Sequence, residues 1–272
     1  MPTSTASRMP TAFIPHGGGP WPVMSLPGMP AAEERSLASY MRSIAELGPA
    51  PRALLVVSAH WEARVPTVNT GAAPPMLYDY GGFPEAAYHL QWPAPGDPEL
   101  AAEVRDLLRG AGMQVAEDDH RGYDHGTFIP LMLAYPEARI PVVQLSLVRG
   151  LDPAEHLAVG RALAPLRERG VYLLGSGNSY HNLPAFFRGG PREAAASREL
   201  DAWLAQTIAL PAAERDARLE HWEQAPSARQ CHPREEHLIP LMVVAGAAGD
   251  DLGRVQWSGT MGGMTVSAHH FG

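Results

Sequence analysis

Three apolar runs, and the helical segments that alternate with them, predict an α/β fold: a single domain with a mostly parallel central sheet and helices on both faces. Residues 53–60 (ALLVVSAH), 140–147 (IPVVQLSL) and 171–177 (VYLLGSG) are almost continuously apolar and of strand length. A strand reads this way when both faces of its sheet are covered, the usual condition of parallel sheets. Helix-length segments between such strands are the mark of α/β architecture.

Taken in order, residues 1–10 (MPTSTASRMP) are polar and predict a flexible tail, with the domain proper over 11–272. Residues 11–16 (TAFIPH) form a first strand that runs into the turn Gly17-Gly18-Gly19-Pro20. Residues 31–47 read as a helix closed by Gly48 and Pro49. After the strand at 53–60, residues 66–70 predict another strand. Residues 71–96, rich in Gly, Pro and aromatics, predict a long functional loop. Leu100, Val104, Leu107 and Leu108 make an apolar stripe on a helix over 97–112. A strand is expected at 113–116, a short helix at 125–135 and a buried strand at 140–147. The helix at 152–169 has Asp152 at its N-cap and Gly170 just past its end. Beyond the strand at 171–177, helices are predicted over 192–210, 212–222 and 234–246, and a last strand over 264–269. No internal repeat or low-complexity linker divides the chain.

Composition narrows the function. Hydrophobic residues make up 45% and charged residues 18% of the chain, which excludes disorder for its bulk. Twenty-one basic against twenty-nine acidic residues give a net charge of −8, so no broad basic surface is available and no nucleic-acid partner is expected. No apolar run approaches the roughly 18 residues of a membrane span, and the first ten residues lack a signal-peptide core. The single cysteine, Cys231, cannot form an internal disulfide and fits a reducing cytoplasm. Histidine stands out: there are twelve, more than tyrosine (8) or phenylalanine (6). It is the commonest metal ligand.

Ligands of open α/β sheets bind beyond the carboxyl ends of the strands. His16 and His60 end the first two strands, and His181 lies four residues beyond Gly177 in Gly175-Ser176-Gly177-Asn178-Ser179-Tyr180-His181. Glycine at these ends lets a ligand approach the backbone. His125 stands before a helix in Asp124-His125-Gly126, and His237 near the start of the late helix. The remaining histidines (His89, His120, His156, His221, His232, His269, His270) read as structural. Other motifs are absent or weak. No Gly-Lys-Ser/Thr follows the glycines at 17–19, the glycines at 175 and 177 lack dinucleotide spacing, and there is no Gly-x-Ser-x-Gly or His-Glu-x-x-His. Cys231-His232 reads as a bystander pair. Glu235-Glu236 reads as helix N-terminal charge, with a carboxylate beside His237 able to orient its ring.

Seven segments in sequence order carry a resemblance. They are His16-Gly17, Ser58-Ala59-His60-Trp61-Glu62, Tyr80-Gly81-Gly82-Phe83-Pro84, Asp124-His125-Gly126, Pro141–Ser146, Ser176-Gly177-Asn178 with His181-Asn182-Leu183, and Glu236–Leu241. Together they resemble the 4,5-DOPA dioxygenase type of class III extradiol ring-cleaving dioxygenases, the superfamily of the protocatechuate 4,5-dioxygenase catalytic subunit. The resemblance spans residues 11 to 270. It implies a non-haem Fe(II) enzyme, able to hold Zn(II) when purified, that opens a catechol ring next to its two hydroxyls with O2. Position by position it implies His16, His60 and His237 as metal ligands, His181 as a further ligand or the catalytic base, and His125 near the substrate. The chain departs from the family's His-Gly-Ser-Pro after the first strand. It carries His16-Gly17-Gly18-Gly19-Pro20-Trp21, a longer loop that puts a tryptophan at the mouth. DOPA is therefore not expected to be the best substrate.

A coordination count assigns roles within that family picture. An octahedral centre that takes two catechol oxygens and one dioxygen leaves three protein positions, as in facial-triad iron sites. His16, His60 and His237 fill them, with Glu236 as the fallback ligand. His181 is then the base that removes a catechol proton, since imidazole titrates near neutral pH. His125, flanked by Asp124, is the acid. Without substrate, four-coordinate zinc can recruit His181 as well. Trp21, Trp61, Tyr80 and Phe83 are the expected substrate wall, stacking on a flat ring. Two other classes fit the same residues: a metal-dependent hydrolase, and a non-catalytic metal-binding relative. No motif here speaks to the oligomeric state.

Overall fold

The computed structural model describes residues 8–26 and 29–272. The sheet is built from β1 (Thr11–Pro15), β2 (Ala53–Ala63), β3 (Thr67–Asn69), β4 (Ala116–Asp118), β5 (Val142–Val148), β6 (Val171–Gly177), β7 (Gly253–Met261) and β8 (Met264–Phe271). These strands form one sheet in the order β4-β3-β5-β2-β6-β1-β8-β7. Its centre, β5-β2-β6-β1, is parallel, and both edges carry antiparallel pairs, β3 on β5 and β1-β8-β7.

Residues alternate across the central strands. Leu54 and Val56 enter one apolar cluster, Leu55 and Val57 the other. The first cluster is covered by α1 (Ala31–Ser43), α3 (His125–Ala134) and α6 (Pro191–Ile208); the second by α2 (Pro98–Gly110) and α4 (Pro153–Leu163). Helices therefore lie on both faces, as the sequence predicts. Short α5 (Leu183–Arg188), α7 (Ala212–Glu220) and α8 (Ala228–Cys231) lie between β6 and the last helix, α9 (Ile239–Ala248). Every residue of α9 is buried, with Ile239, Val243 and Ala247 in one cluster and Leu241, Met242, Val244 and Ala245 in the other. A helix apolar all round has nowhere else to go.

The capping pattern explains several boundaries. The side chains of Asp97, Asp124 and Asp152 accept hydrogen bonds from first-turn N–H groups of α2, α3 and α4. Such caps are worth about 1 kcal/mol each. Gly170, in the left-handed region at φ 76°, ends the six-residue extension of α4.

Differences from the expected elements have local causes. β2 runs on to Ala63 rather than stopping at His60. The last helix starts at Ile239, with Pro240 in its first turn, so His237 precedes it. β4 lies at Ala116–Asp118 rather than 113–116. β7, half-exposed along an edge, lacks an apolar run, and six-residue α5 is too short for a period. Of the expected tail, residues 1–7 lie outside the described residues. Met9 and Pro10 are packed: the Met9 N–H donates to the carbonyl of buried Arg167 at 3.1 Å, and the Arg167 Nε donates to the Met9 carbonyl at 2.6 Å.

Candidate metal centre

β1 stops at Pro15 and delivers His16, whose N–H donates to the Gly177 carbonyl at 3.1 Å. The chain then turns sharply at Gly17, φ +87°, where a Cβ would lie 2.0 Å from the Trp21 carbonyl oxygen. His60 sits inside β2, where the pairing with β5 changes register between Val57 and Glu62. Such an irregularity re-aims a side chain out of the ladder. His125 is the first residue of α3. His237 lies just ahead of α9, its carbonyl accepting from the Asn178 N–H at 3.0 Å and pressed against Gly177, where a Cβ would approach it to 2.1 Å. His181 follows β6 and is tied back to the Cys231 carbonyl at 3.1 Å.

All five rings meet. His16 and His60 face each other with their Nε2 atoms 3.2 Å apart. Ring centroids of His16, His60 and His237 are 4.9, 5.1 and 4.9 Å apart. His125 lies 3.9 Å from His60 and 5.3 Å from His16. His181 stacks on His237, centroids 3.4 Å apart. Two triplets offer ligand atoms all within 4.8 Å of one another: His16, His60 and His125; and His181, Glu236 and His237.

The surrounding acceptors fix the tautomers. The Ser176 hydroxyl gives its proton to the Gly126 carbonyl, so at 3.0 Å from His16 Nδ1 it accepts. His125 Nδ1 donates to Asp79 Oδ1 at 2.8 Å, and His60 Nδ1 lies 3.4 Å from Asp79 Oδ2. His237 Nδ1 and His181 Nδ1 both donate to Glu236 Oε1, at 2.9 and 3.1 Å. Carboxylates only accept, so His125, His181 and His237 carry their hydrogen on Nδ1 and keep the Nε2 lone pair, as His16 does against the Ser176 hydroxyl; Asp79 Oδ2 favours the same tautomer at His60.

Burial pushes His16 and His237 well below the usual histidine range, and the neighbouring histidines push the same way; His60 falls to about 3. These rings stay neutral and able to bind a cation at neutral pH. Burial alone would raise Asp79 and Glu236, but hydrogen bonds from His125 and His181 hold both below the usual carboxylate range.

The sequence reading did not find Asp79 or Ser176, and it paired His125 with Asp124. Asp124 instead caps α3 and is buried beneath His60, accepting from Ser58 Oγ at 2.6 Å, Arg121 at 3.1 Å and Gln144. Asp79 lies in the long loop, 46 residues from its partner, where no spacing rule reaches it. Glu236, expected as helix charge, ring orienter or fallback ligand, contacts two rings at once. Cys231 is buried, and burial raises its thiol to about 12, in keeping with a bystander.

A cavity of about 810 Å³ opens over the histidines. Trp21 and Phe83 line it. Trp21 is a buried wall, 1% exposed, rather than a mouth residue. Trp61 and Tyr80 do not line it. The Arg121 guanidinium lies 5.2 Å over the Trp61 ring, and the Tyr80 hydroxyl donates to Ala87 O, with its ring 5.7 Å from His125.

Residues 10–267 match the family described as the catalytic LigB subunit of aromatic ring-opening dioxygenase. The chain belongs to this family. The LigB family implies a non-haem metal, an aromatic substrate and O2, in line with the expected class III extradiol ring-opening enzyme. The chain is 38% identical to a dioxygenase, tasH, of Hapsidospora irregularis, over 91% of this chain and 80% of that one. It is 40% identical to a 4,5-DOPA dioxygenase extradiol of Beta vulgaris, over 89% of this chain and 87% of that one. The crystal structure of an uncharacterized Escherichia coli K12 protein, JW3007, is similar with a TM-score of 0.78 and 29% identity, covering 97% of this chain and all of the other. No helix among the described residues is long and apolar enough to cross a membrane.

The donor set fits the metal that this LigB membership implies. Neutral imidazoles whose lone pairs face each other at 3.2 Å repel unless a cation lies between them. Imidazoles that share one ion at ordinary metal–nitrogen distances keep their centroids roughly 4.5–5.2 Å apart. His16, His60 and His237 meet that spacing; the His60–His125 and His181–His237 pairs, at 3.9 and 3.4 Å, are closer than it.

Proposed function

We propose that this chain is an Fe(II)-dependent extradiol dioxygenase that opens a catechol ring beside its two hydroxyls. His16, His60 and His237 would hold the metal, residues 11–272 form the catalytic domain, and the enzyme works in the cytoplasm. The observation that carries this reading is the pair of facing Nε2 atoms of His16 and His60, with His16 Nδ1 on the Ser176 hydroxyl and His60 Nδ1 3.4 Å from Asp79 Oδ2. Iron bound there supplies Lewis acidity toward the catechol oxygens and electrons for O2.

The protein's own groups handle the protons. His181 Nε2 takes the proton of a catechol hydroxyl, and Glu236, already bound to His181 Nδ1, stabilises the resulting imidazolium. Its stacked position beside His237, rather than across from it, favours a base over a permanent ligand. His125, held by Asp79 through Nδ1, turns the Nε2 lone pair to the site; it first takes a proton there, as an imidazolium that Asp79 stabilises, and then returns it as the acid when the ring opens. Trp21 and Phe83 flank the flat ring from the cavity wall.

Anaerobic loading with Fe(II), then addition of a catechol and air, tests the reading. One equivalent of iron, O2 uptake in step with catechol loss, and a yellow ring-fission product are expected; the zinc-loaded protein should bind catechol without taking up O2. Iron-loaded protein that consumes no O2 with any catechol would overturn it.

A further inference from the structure

The cavity above the histidines is far larger than a catechol ring, and its outer part has a definite character. At about 810 Å³ it lies in the range that holds drug-sized ligands. Its lining beyond the histidines is mostly apolar, with Leu26, Met29, Leu183, Phe186, Phe187 and Met261 prominent; Asn178, Tyr180 and Asn182 are its uncharged polar side chains. Among the described residues, no Lys, Arg, Asp or Glu lines it. The cation nearest in sequence to this wall, Arg188 of α5, points its Nε toward Glu193 at 3.7 Å and is not part of the lining. Asp79 and Glu236 are engaged with the Nδ1 sides of the histidine rings, away from the outer chamber.

α5 adds an independent observation. Leu183 and Phe187 are 51% and 81% exposed, among the few large apolar side chains so exposed in the described chain, and both border the cavity. Apolar groups held at the rim of a deep cavity lose water only when a ligand covers them, and each Å² so removed is favourable. A substrate with an ammonium or carboxylate on its side chain would lose water there with no oppositely charged partner, a costly exchange.

We propose that the substrate is a catechol with an uncharged, bulky apolar substituent, which lies between the side chains of Leu26 and Met29 and those of Leu183, Phe186 and Phe187 of α5. The proposal rests on the ring-opening reading for the catechol end and on the outer chamber for the rest. The apolar wall, not the metal centre, then sets the discrimination against amino-acid catechols.

Two measurements test it. Calorimetric binding of catechol, 4-methyl-, 4-propyl- and 4-butylcatechol to metal-loaded protein under argon reads the chamber without turnover; kcat/KM in air on the same series, with 3,4-dihydroxyphenylalanine and 3,4-dihydroxybenzoate, reads turnover. We expect affinity to rise about three- to four-fold per methylene over the first few carbons, and both charged catechols to fall at least about ten-fold below 4-butylcatechol in kcat/KM. Leu183→Asp and Phe187→Asp, at exposed positions, should erase the chain-length gain and leave affinity for unsubstituted catechol unchanged. A flat or falling series, or a charged catechol as the best substrate, overturns the apolar assignment while leaving ring opening intact. A rising binding series with no O2 uptake in air upholds the chamber and overturns ring opening instead.

Discussion

His181 and His237 lie face to face, planes within 15° and centroids 3.4 Å apart, and both Nδ1 atoms donate to one oxygen of Glu236. Two rings stacked in parallel on a common anchor present their Nε2 atoms side by side. One ion cannot draw both at full strength, and we propose that the pair divides into a ligand and a proton carrier.

That division predicts the outcome of removing each ring. His237→Ala should lose most bound iron, because an open three-histidine site forfeits a third of its donors. His181→Ala should retain much of its iron yet turn over about 10²–10⁴-fold more slowly, the range for lost general acid–base catalysis. Elemental analysis and single-turnover rates distinguish them. Equal iron loss in both variants would make His181 an obligatory ligand.

His125 offers the sharpest alternative ligand, since its ring nitrogens lie within 4.8 Å of those of His16 and His60. The 3.9 Å centroid distance to His60 argues for a proton donor instead. His125→Ala should therefore keep about one iron per chain and lose rate. Iron content below half of wild type would move His125 into the ligand set.

Glu236→Gln keeps the shape of the anchor but removes its charge. Carboxylates behind metal-bound histidines typically contribute 10–100-fold in metal affinity or activity. Glu236→Gln should lower both iron affinity and turnover, because it touches ligand and base alike. Competition with a chelator and steady-state rates on the one variant check this; loss of only one property would refute the shared anchor.

Gly177→Ala should act on the same histidine from behind. A Cβ at 177 would meet the His237 carbonyl oxygen at 2.1 Å and Phe13 at 2.9 Å. We expect a loss of about 1–3 kcal/mol in stability, as for overpacked cores, with weakened iron binding. Gly18→Ala, with no heavy atom within 4 Å of its added Cβ, should leave stability near wild type.

Acid should destabilise the fold before its carboxylates titrate. Burial lowers His232 and His269 to about 4 and His270 to about 3, from 6.5. All three are neutral in the fold above those values, while the unfolded chain protonates near 6.5. Their contribution is thus complete above pH 6.5 and is lost as pH falls from 6.5 toward 4, at about 1.4 kcal/mol per pH unit each. His269 has no hydrogen-bond partner at either ring nitrogen. Denaturant titrations at pH 8 and pH 5 should show His269→Leu losing about one proton's worth of that slope; an unchanged slope would place the titration elsewhere.

Most of the architecture was legible because it rests on local rules. Apolar runs gave β2, β5 and β6, Asp152 caps α4 as expected, and Asp97, where a helix was expected to begin, caps α2; the cap at Asp124 was not foreseen. All five site histidines could be named from strand ends, glycine turns and family motifs. What stayed hidden is what only folding brings together. Asp79 reaches His125 across 46 residues, and Ser176 meets His16 across 160. Trp61 and Tyr80 were expected at the wall because they are aromatic and near the motifs. Their side chains are taken up elsewhere, Trp61 under Arg121 and Tyr80 by the Ala87 carbonyl.

Asp79 has one oxygen on His125 and the other 3.4 Å from His60. It belongs to the connection between β3 and α2, while Ser176 lies in β6 and Glu236 immediately ahead of the α9 region. Connecting segments tolerate insertions and substitutions that a covered sheet does not. Drift in this one loop therefore retunes the proposed proton donor and a facing ring, His60, through a single carboxylate, while Ser176 of β6 keeps His16 and Glu236 keeps His181 and His237. Divergence of reactivity on this scaffold, and laboratory evolution toward it, has its shortest route there.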